Sequence, residues 1–431
     1  MRSTMLFLAM LLSMSAAAFA QTPVERFEPN NGMIVLLRPV EGADRVAIVT
    51  LFAIGNDHDP NGFSGMAHLI EHLYITAAAG SAEARAADEF MKRYSDGWNA
   101  QTGDDFTIVA TVFKKGDLGE ELGDAAARMS GLKVTDADLS REVPRMLAEL
   151  ENMYGGITAL AARNHARQRI CPDPPGTRRG GVPEQIKAIA IREVQGRLEA
   201  YYKPCNATLV LAGGFNAKEV KELVQRHFGG IKAGQAAPAP RAPHPPEEFK
   251  TAEIAVKPRQ PGQSAQVRVA YAAPSPSNPQ YAPFLVLVQR MWAMSSAGGR
   301  PGPVTADFPL LDDPKVIFIG GATINESAAV AVERVQKFIA DAAAPKLEMR
   351  EAQGARAAMA FLLGTEDIPD SLAKQNLYGL AYGIARGRQL GIAGAKLRQA
   401  LESVTDESLK QAARDVFAPE KGAAVIVRPR D

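Results

Sequence analysis

Cysteine and an excess of charge of one sign are what this sequence lacks most clearly. Its 431 residues carry 49 basic and 48 acidic side chains, for a formal net charge of +1. Without a basic excess there is little to neutralise phosphates, so we do not expect nucleic acid as a partner. The only cysteines are Cys171 and Cys205. They could form one disulfide in an exported protein or remain two separate buried thiols, and the sequence does not decide between these.

Long apolar runs are also missing after the N-terminal region, so no later segment is expected to cross a membrane. Residues 1–20 are typical of a secretory signal peptide, with Arg2 ahead of the apolar run MLFLAMLLSM and small residues Ala18 and Ala20 at the cleavage site. An uncleaved anchor is the alternative, but the run is short for a spanning helix. We therefore predict cleavage after Ala20 and a periplasmic or secreted mature protein.

The mature chain is too long for one ordinary hydrophobic core, which indicates at least two domains. A Pro/Ala-rich stretch at 232–250 is typical of a semi-rigid linker. It separates an N-terminal domain, residues 21–231, from a C-terminal domain, residues 251–431. Runs of β-type alternation and longer helical patterns occur in both. We predict an α+β fold of two related domains, each a mostly antiparallel sheet packed with helices.

The relation between the two domains is indicated by one matched block. The stretch VQGRLEAYYKPCNATLVLAG (194–213) and the stretch LKQAARDVFAPEKGAAVIVRP (409–429) both pass from a helix through a proline turn to an apolar strand. Aligning Pro204 with Pro419 gives an offset of 419 − 204 = 215 residues. Together with the central linker, this block predicts a duplicated domain.

Histidine is scarce, with six in the chain, yet two lie four residues apart in GMAHLIEHLYI (65–75). Ser64 is typical of a helix N-cap just before this stretch. On a helix His68 and His72 share a face, so both imidazoles could bind one zinc ion. Glu71 would lie beside them and could take a proton from a zinc-bound water. The alternative is an ordinary core helix, packed through Leu69, Ile70 and Leu73.

A catalytic zinc site needs a third protein ligand and one open position. The helical segment REVPRMLAELENMYGG (141–156) has an apolar stripe, with Glu142 and Glu149 on another face. Glu149 could bind the metal, and Glu142 could orient another ligand. Taken alone, the pattern is more typical of solvated surface glutamates. Pro144 is expected to begin this helix or to kink it.

H-x-x-E-H followed by a glutamate after 76 residues resembles the hallmark of the pitrilysin/insulinase (M16) family of zinc metallopeptidases. Three further stretches resemble segments of the same family: GNDHDPNGFSGMAHLIEHL (55–73), WNAQTGDDFTIV (98–109) and YYKPCNATLVLAGGF (201–215). The resemblance extends through nearly the whole mature chain and is strongest from about 30 to 230.

The resemblance implies a zinc endopeptidase that hydrolyses peptides or unfolded protein segments, with one zinc ion per chain. His68, His72 and Glu149 would bind the zinc. Glu71 would act as general base towards the zinc-bound water. Glu142 would support the site from behind the ligands. The C-terminal domain has no histidine pair and would not bind metal.

The resemblance also implies how substrate is held. Asn99 and Ala100 would position the substrate backbone on an edge strand, by strand addition. Family members with a complete catalytic set supply an arginine and a tyrosine from a later domain. Here Arg300 is present, but no tyrosine lies between Tyr281 and Tyr378. A related subunit in a heterodimer could supply the pair, or the chain could act alone or as a homodimer with reduced activity.

Two other functions remain open at this point. The chain could be a zinc-binding but weakly active or inactive family member that serves as a peptide-binding or assembly subunit. It could also be a zinc hydrolase of another fold, against which the 76-residue spacing counts. The sequence does not indicate a particular substrate or cleavage preference.

Overall fold

Two larger β-sheets and one short strand pair form the framework of the protein. The computed structural model describes residues 23–156, 158–240, 251–256, 262–295, 303–323, 326–363, 368–392 and 394–430. The predicted signal peptide therefore lies outside the described residues, as does the 241–250 part of the predicted linker.

The first sheet contains six strands in the order β1–β2–β8–β3–β6–β5. The strands of this half are β1 Glu25–Phe27, β2 Ile34–Pro39, β3 Arg45–Phe52, β4 Ala78–Ala79, β5 Trp98–Thr102, β6 Thr107–Lys114, β7 Leu132–Lys133 and β8 Ala207–Gly213. Its helices are α1 Met66–Thr76, α2 Ala87–Arg93, α3 Leu118–Ser130, α4 Asp136–Tyr154, α5 Ala159–Ile170, α6 Pro183–Lys187, α7 Ile191–Tyr201 and α8 Ala217–Phe228. Among the described strands, β5 forms an edge of this sheet.

The second sheet contains five strands in the order β9–β13–β10–β12–β11. Its strands are β9 Ala252–Val256, β10 Ala265–Ala272, β11 Thr305–Asp307, β12 Val316–Thr323 and β13 Gly422–Pro429. The helices of this half are α9 Tyr281–Ser295, α10 Ala328–Ala343, α11 Met349–Leu362, α12 Asp370–Ala373, α13 Leu377–Gln389, α14 Gly394–Glu402 and α15 Asp406–Val416. Both sheets are mostly antiparallel, with one parallel pair each, β2–β8 and β9–β13. The predicted α+β class is confirmed.

The two halves repeat one topology. The order β9–β13–β10–β12–β11 reproduces β2–β8–β3–β6–β5, including the position of the parallel pair. The 215-residue offset maps α7 onto α15 without a shift, and it maps the first residue of β8 onto that of β13. The block that indicated duplication in the sequence therefore belongs to matched helix–turn–strand units.

The central strands of the first sheet are covered on both faces, which explains their continuous rather than alternating apolar pattern. One face packs on α1 and its neighbouring helices through residues such as Val46, Ile48 and Leu211. The other face packs on α13 through Val49 and Val210. The first of these apolar layers thus holds α1, which carries His68, Glu71 and His72.

Helices α5 and α13 are exchanged between the halves. Helix α5 belongs to the first half of the chain but packs on the second sheet, where Ala162 and Ala166 contact Phe318 and Val425. Helix α13 belongs to the second half but packs on the first sheet, with Leu380 among its buried residues. Each sheet is therefore covered partly by a helix from the other half.

Helix α4 differs from expectation in one respect. Pro144 lies inside the helix, which begins eight residues earlier at Asp136, so it does not start the helix. The start is set by Thr135, whose hydroxyl accepts a hydrogen bond from the backbone N–H of Asp138. The Asp138 carboxylate in turn accepts a hydrogen bond from the backbone N–H of Thr135. Across the described residues, we find no helix with the length and apolarity needed to cross a membrane.

Candidate metal centre

Helix α1 carries three of the predicted site residues and is buried along its whole length. The carboxylate of Asp59 accepts hydrogen bonds from the backbone N–H groups of Gly65, at 2.6 Å, and Ala67, at 2.9 Å. N–H groups at a helix start have no partner inside the helix, so this contact anchors it. The prediction that Ser64 caps the helix is wrong. Gly65 occupies the N-cap with a φ of 101°, and the Ser64 hydroxyl bonds the backbone of Arg178.

The three predicted metal ligands converge between α1 and α4. The Nε2 atoms of His68 and His72 lie 3.6 Å and 3.4 Å from Glu149 Oε2. One ligand atom from each residue lies within 4.8 Å of the others, the only such group of three found among the described residues. Two imidazoles and a carboxylate are a donor set of catalytic zinc sites, which keep a further position open. The donor chemistry therefore fits a zinc ion.

Each histidine is oriented through its other ring nitrogen. His68 Nδ1 donates to the carbonyl oxygen of Gly180 at 3.0 Å, and His72 Nδ1 lies 3.3 Å from Glu142 Oε2. Glu142 is completely buried, so the role predicted for it has a geometric basis. A β-carbon at Gly180 would lie 2.8 Å from the Leu150 side chain, and its φ is 82°. These bonds direct both Nε2 atoms towards Glu149.

Burial and pairing set the charges of the cluster. Burial opposes protonation of His72, but hydrogen bonds to Glu142 and Glu149 raise its pKa to about 9. Hydrogen bonds from His68 and His72 hold the pKa of Glu149 far below its usual range. Burial raises the pKa of Glu71 above its usual value. A metal ion bound here would displace protons from the histidines.

Glu71 points into a cavity of about 200 Å³ next to the metal ligands. Its Oε2 accepts a hydrogen bond from Thr102 Oγ1 at 2.8 Å, which links α1 to strand β5. The cavity is lined by His68, Glu71, Ala100, Gln101, Thr102, Glu149, Met153, Arg179 and Gly180. The space therefore extends from the metal ligands to the edge strand.

The two predicted substrate-binding residues lie on opposite faces of β5, because side chains alternate along a strand. Ala100 lines the cavity on the α1 face. Asn99 and Gln101 face α13, where Asn99 Nδ2 donates to Tyr378 Oη at 3.0 Å and Tyr382 Oη donates to Gln101 Oε1 at 2.8 Å. The second half of the chain thus supports the edge strand from behind.

Both cysteines are free thiols, so the disulfide considered between Cys171 and Cys205 is not formed. Cys171 follows the last residue of α5, and burial raises the pKa of its thiol. Cys205 Sγ donates to the carbonyl oxygen of Gln235 at 3.3 Å. Arg300, which the sequence singled out, lies outside the described residues.

Several site residues were missed from the sequence. Asp59 stands in an acidic loop whose position before a helix was the available signal for a cap. The Gly180–Gly181 pair was a signal for a backbone turn, and both glycines have positive φ. Thr102 lies in the stretch WNAQTGDDFTIV that resembles the family, which was the available signal for it. Arg179 carried no signal of its own, since its place in the cavity depends on distant packing.

Comparisons with known proteins agree with this geometry. A family model described as the Peptidase M16 inactive domain matches residues 189–292. The zinc protease PqqE of Helicobacter pylori is 25% identical over 249 residues, covering 56% of this chain and 55% of that protein. The chain spans about half the length, or less, of the curated relatives it matches.

Solved structures show the same fold. The crystal structure of a protease from Helicobacter pylori matches with a TM-score of 0.75 at 19% identity, over 95% of this chain and all of that one. The periplasmic protease PqqL from Escherichia coli matches with a TM-score of 0.70 at 15% identity, over 96% of this chain and 48% of that one.

The duplicated α+β fold, with two histidines and a glutamate beside a sheet edge, fits the class of metallopeptidases. Within this class, the H-x-x-E-H motif at 68–72 and the relatives described as zinc proteases favour the M16 type. In sequence and in fold the chain is similar to M16 peptidases, which confirms the resemblance predicted from its sequence.

Proposed function

We propose that the chain is a zinc-dependent endopeptidase that hydrolyses peptides or unfolded protein segments. The observation that carries the proposal is the convergence of His68, His72 and Glu149 next to a cavity into which Glu71 also points. A bound zinc ion would polarise the scissile carbonyl and make a water molecule more acidic. The rest of the chemistry rests on side chains of this chain.

Glu71 is placed to act as general base. Its burial raises its pKa, and a base with a pKa nearer neutrality removes a proton more effectively at neutral pH. The hydrogen bond from Thr102 holds the carboxylate towards the cavity. After attack, the protonated Glu71 can pass its proton to the leaving amine. His68 and His72 are ligands rather than bases, since each is oriented by Gly180 or Glu142.

Strand β5 is the proposed docking edge for an extended substrate. It forms an edge of the first sheet among the described strands, and Ala100 and Thr102 line the cavity beside it. A peptide added to this edge would bind through main-chain hydrogen bonds, and its alternate side chains would enter the cavity. Asn99 would keep the strand in place through Tyr378.

The proposed setting is the periplasm or the exterior of the cell, after cleavage at Ala20. The periplasmic protease PqqL among the structural neighbours supports this setting. The proposed assembly is a heterodimer in which a related subunit completes the substrate chamber, with a homodimer as the alternative. The match to PqqL covers 96% of this chain but 48% of that one, which supports an assembly of two such halves.

A second candidate function is a zinc-binding but weakly active peptide-binding or assembly subunit. It is favoured by the match to a domain described as inactive. That match covers residues 189–292, so it does not include the metal ligands or Glu71. We therefore rank the endopeptidase first.

The test is substitution of the proposed base. We expect Glu71→Gln to retain one zinc ion per chain, measured by inductively coupled plasma mass spectrometry. Its rate of cleavage of unfolded β-casein should fall by roughly 100-fold or more. The matched control is Glu222→Gln, which alters an exposed glutamate of α8 and should change neither. A wild-type protein without stoichiometric zinc would contradict the proposal. Zinc-loaded wild type that does not cleave would favour the second candidate.

A further inference from the structure

Arg179 lies in the segment between α5 and α6, and of that segment Arg179 and Gly180 line the cavity next to the proposed metal ligands. Its backbone N–H donates to Asp173 Oδ2 at 2.9 Å, and its carbonyl oxygen accepts from Tyr154 Oη at 3.1 Å. The next residue, Gly180, is the one that orients His68. The backbone of Arg179 is thus fixed within one residue of a contact to a proposed metal ligand.

The side chain of Arg179 is held from the second half of the chain. Its Nη1 donates to Asp313 Oδ2 at 2.7 Å, and its Nη2 lies 3.4 Å from the carbonyl oxygen of Asp312. Asp313 is buried and also accepts from Arg167 Nε at 2.7 Å. A guanidinium anchored by a buried carboxylate keeps one orientation, which lowers the entropy lost when it binds a ligand.

Arg179 is also one of the residues that line the cavity. Among the described lining residues it is the only arginine or lysine, and it shares the space with Glu71 and Glu149. A guanidinium has five N–H donors in a rigid fork, of which the two contacts to the second half use two. Only 12% of the side chain is exposed, so hydrogen bonds made there are poorly screened by water.

We propose that Arg179 is a substrate-contacting residue that donates hydrogen bonds to main-chain carbonyl oxygens of a peptide in the metal cavity. Asp313 acts as its positioning residue. The inference rests on the proposed endopeptidase function. It places part of the positive charge facing the substrate within this chain and on its first half, whereas the resemblance led us to expect that charge from a later segment or a partner.

The experiment measures peptide binding and cleavage separately. Binding of a fluorescein-labelled β-casein peptide is followed by anisotropy in the zinc-loaded Glu71→Gln chain, which does not consume the peptide. Adding Arg179→Ala should weaken binding by roughly 10- to 100-fold, the usual loss for a hydrogen bond to a charged group. In the chain with Glu71 intact, Arg179→Ala should lower kcat/KM by at least as much. The peptide affinity and kcat/KM of Arg179→Lys should lie between those of wild type and Arg179→Ala, because lysine keeps the positive charge but not the planar set of guanidinium donors.

Two measurements separate substrate contact from support of the metal site. Zinc content and affinity should be unchanged in Arg179→Ala, and added methylguanidinium should restore part of the lost binding. The matched control is Arg163→Ala, which removes an arginine on α5 that pairs with Asp307 at 3.0 Å and does not line the cavity. The control should bind and cleave as wild type does.

The outcomes that overturn the inference are distinct. Loss of zinc affinity in Arg179→Ala, without rescue by methylguanidinium, would show that the residue acts only on the shape of the metal site. Unchanged binding and cleavage would also overturn it, and the proposed function would stand. A zinc-loaded wild type that neither binds nor cleaves peptide would overturn the proposed function and this inference together.

Discussion

Single residues fix the positions of two of the three proposed metal ligands, His68 and His72. The carbonyl of Gly180 and the carboxylate of Glu142 each fix one imidazole, and Asp59 fixes the start of the helix that carries both. A ligand set held in this way needs little rearrangement to accept a metal ion, so less binding energy is lost to ordering.

Asp59 makes stability depend on pH. Burial raises its pKa to about 6, against 3.8 for the free side chain. Because the folded protein holds the Asp59 proton more tightly than the unfolded chain does, protonated Asp59 stabilises the fold. This stabilisation is complete below about pH 3.8 and is lost as the pH rises through about 6. We expect the wild type to lose roughly 2 kcal/mol relative to Asp59→Asn between pH 4.5 and 7.5, at about 1.4 kcal/mol per pKa unit.

This difference is measured by urea unfolding of both proteins at the two pH values. The matched control is Asp136→Asn, which changes an exposed aspartate in the first turn of α4. The change in offset from the wild type between the two pH values should be larger for Asp59→Asn than for this control. A constant offset for Asp59→Asn would show that burial does not perturb this carboxyl.

Some residues of the site could be predicted because their spacing along the chain reports chemistry directly. His68, Glu71 and His72 share one helix, and resemblance to a family supplied the distance to Glu149. The cap was predicted wrongly because Asp59, seven residues before the first residue of the helix, accepts the hydrogen bonds expected for Ser64. Thr102 lies in a stretch that resembles the family, but its hydrogen bond to Glu71 could not be predicted from that stretch. Arg179 could not be predicted, since long-range packing alone brings it to the cavity.

At the scale of whole elements, the exchanged helices join the two halves. Helix α5 carries Arg167, whose side chain is 3% exposed and pairs with Asp104 at 2.5 Å and with Asp313 at 2.7 Å. These aspartates belong to different halves of the chain. One guanidinium thus bridges the loop after β5 and the loop before β12.

Arg167→Met is expected to lower the free energy of unfolding by about 3 kcal/mol, because it leaves buried carboxylates short of a partner. Urea unfolding at neutral pH measures the loss. The matched variant on the same helix is Arg163→Met, whose pair with Asp307 is partly exposed and should be worth about 1 kcal/mol or less. Equal losses of unfolding free energy in the two variants would contradict the prediction that the buried Arg167 pairs stabilise the protein more than the Arg163 pair does.

The repeat and the strand-and-helix content could be predicted because they depend on local pattern. The 215-residue offset found from a proline holds for a helix, a turn and a strand. The exchange of α5 and α13 could not be predicted from the same pattern. An amphipathic helix shows that it has an apolar face, but not which sheet will cover it.

For the whole molecule, the proposed assembly leads to a prediction about activity. The purified chain alone should bind one zinc ion and cleave unfolded β-casein slowly. Adding a related subunit that supplies an arginine and a tyrosine should raise kcat/KM by roughly 100-fold, the usual effect of a hydrogen-bond donor for the developing oxyanion. Light scattering after gel filtration gives the mass of the active species. Full activity from a monomeric preparation would contradict the prediction.

The exchanged helices also have a consequence for synthesis of the chain. The first sheet has all its strands once Gly213 has been made, but its outer face waits for α13, which ends 176 residues later at Gln389. At about 5–20 residues per second, that apolar face stays uncovered for roughly 10–35 s. During that interval the nascent first half exposes apolar surface and is prone to aggregate. Chaperones that bind apolar strands would therefore act on it before α13 has been synthesised.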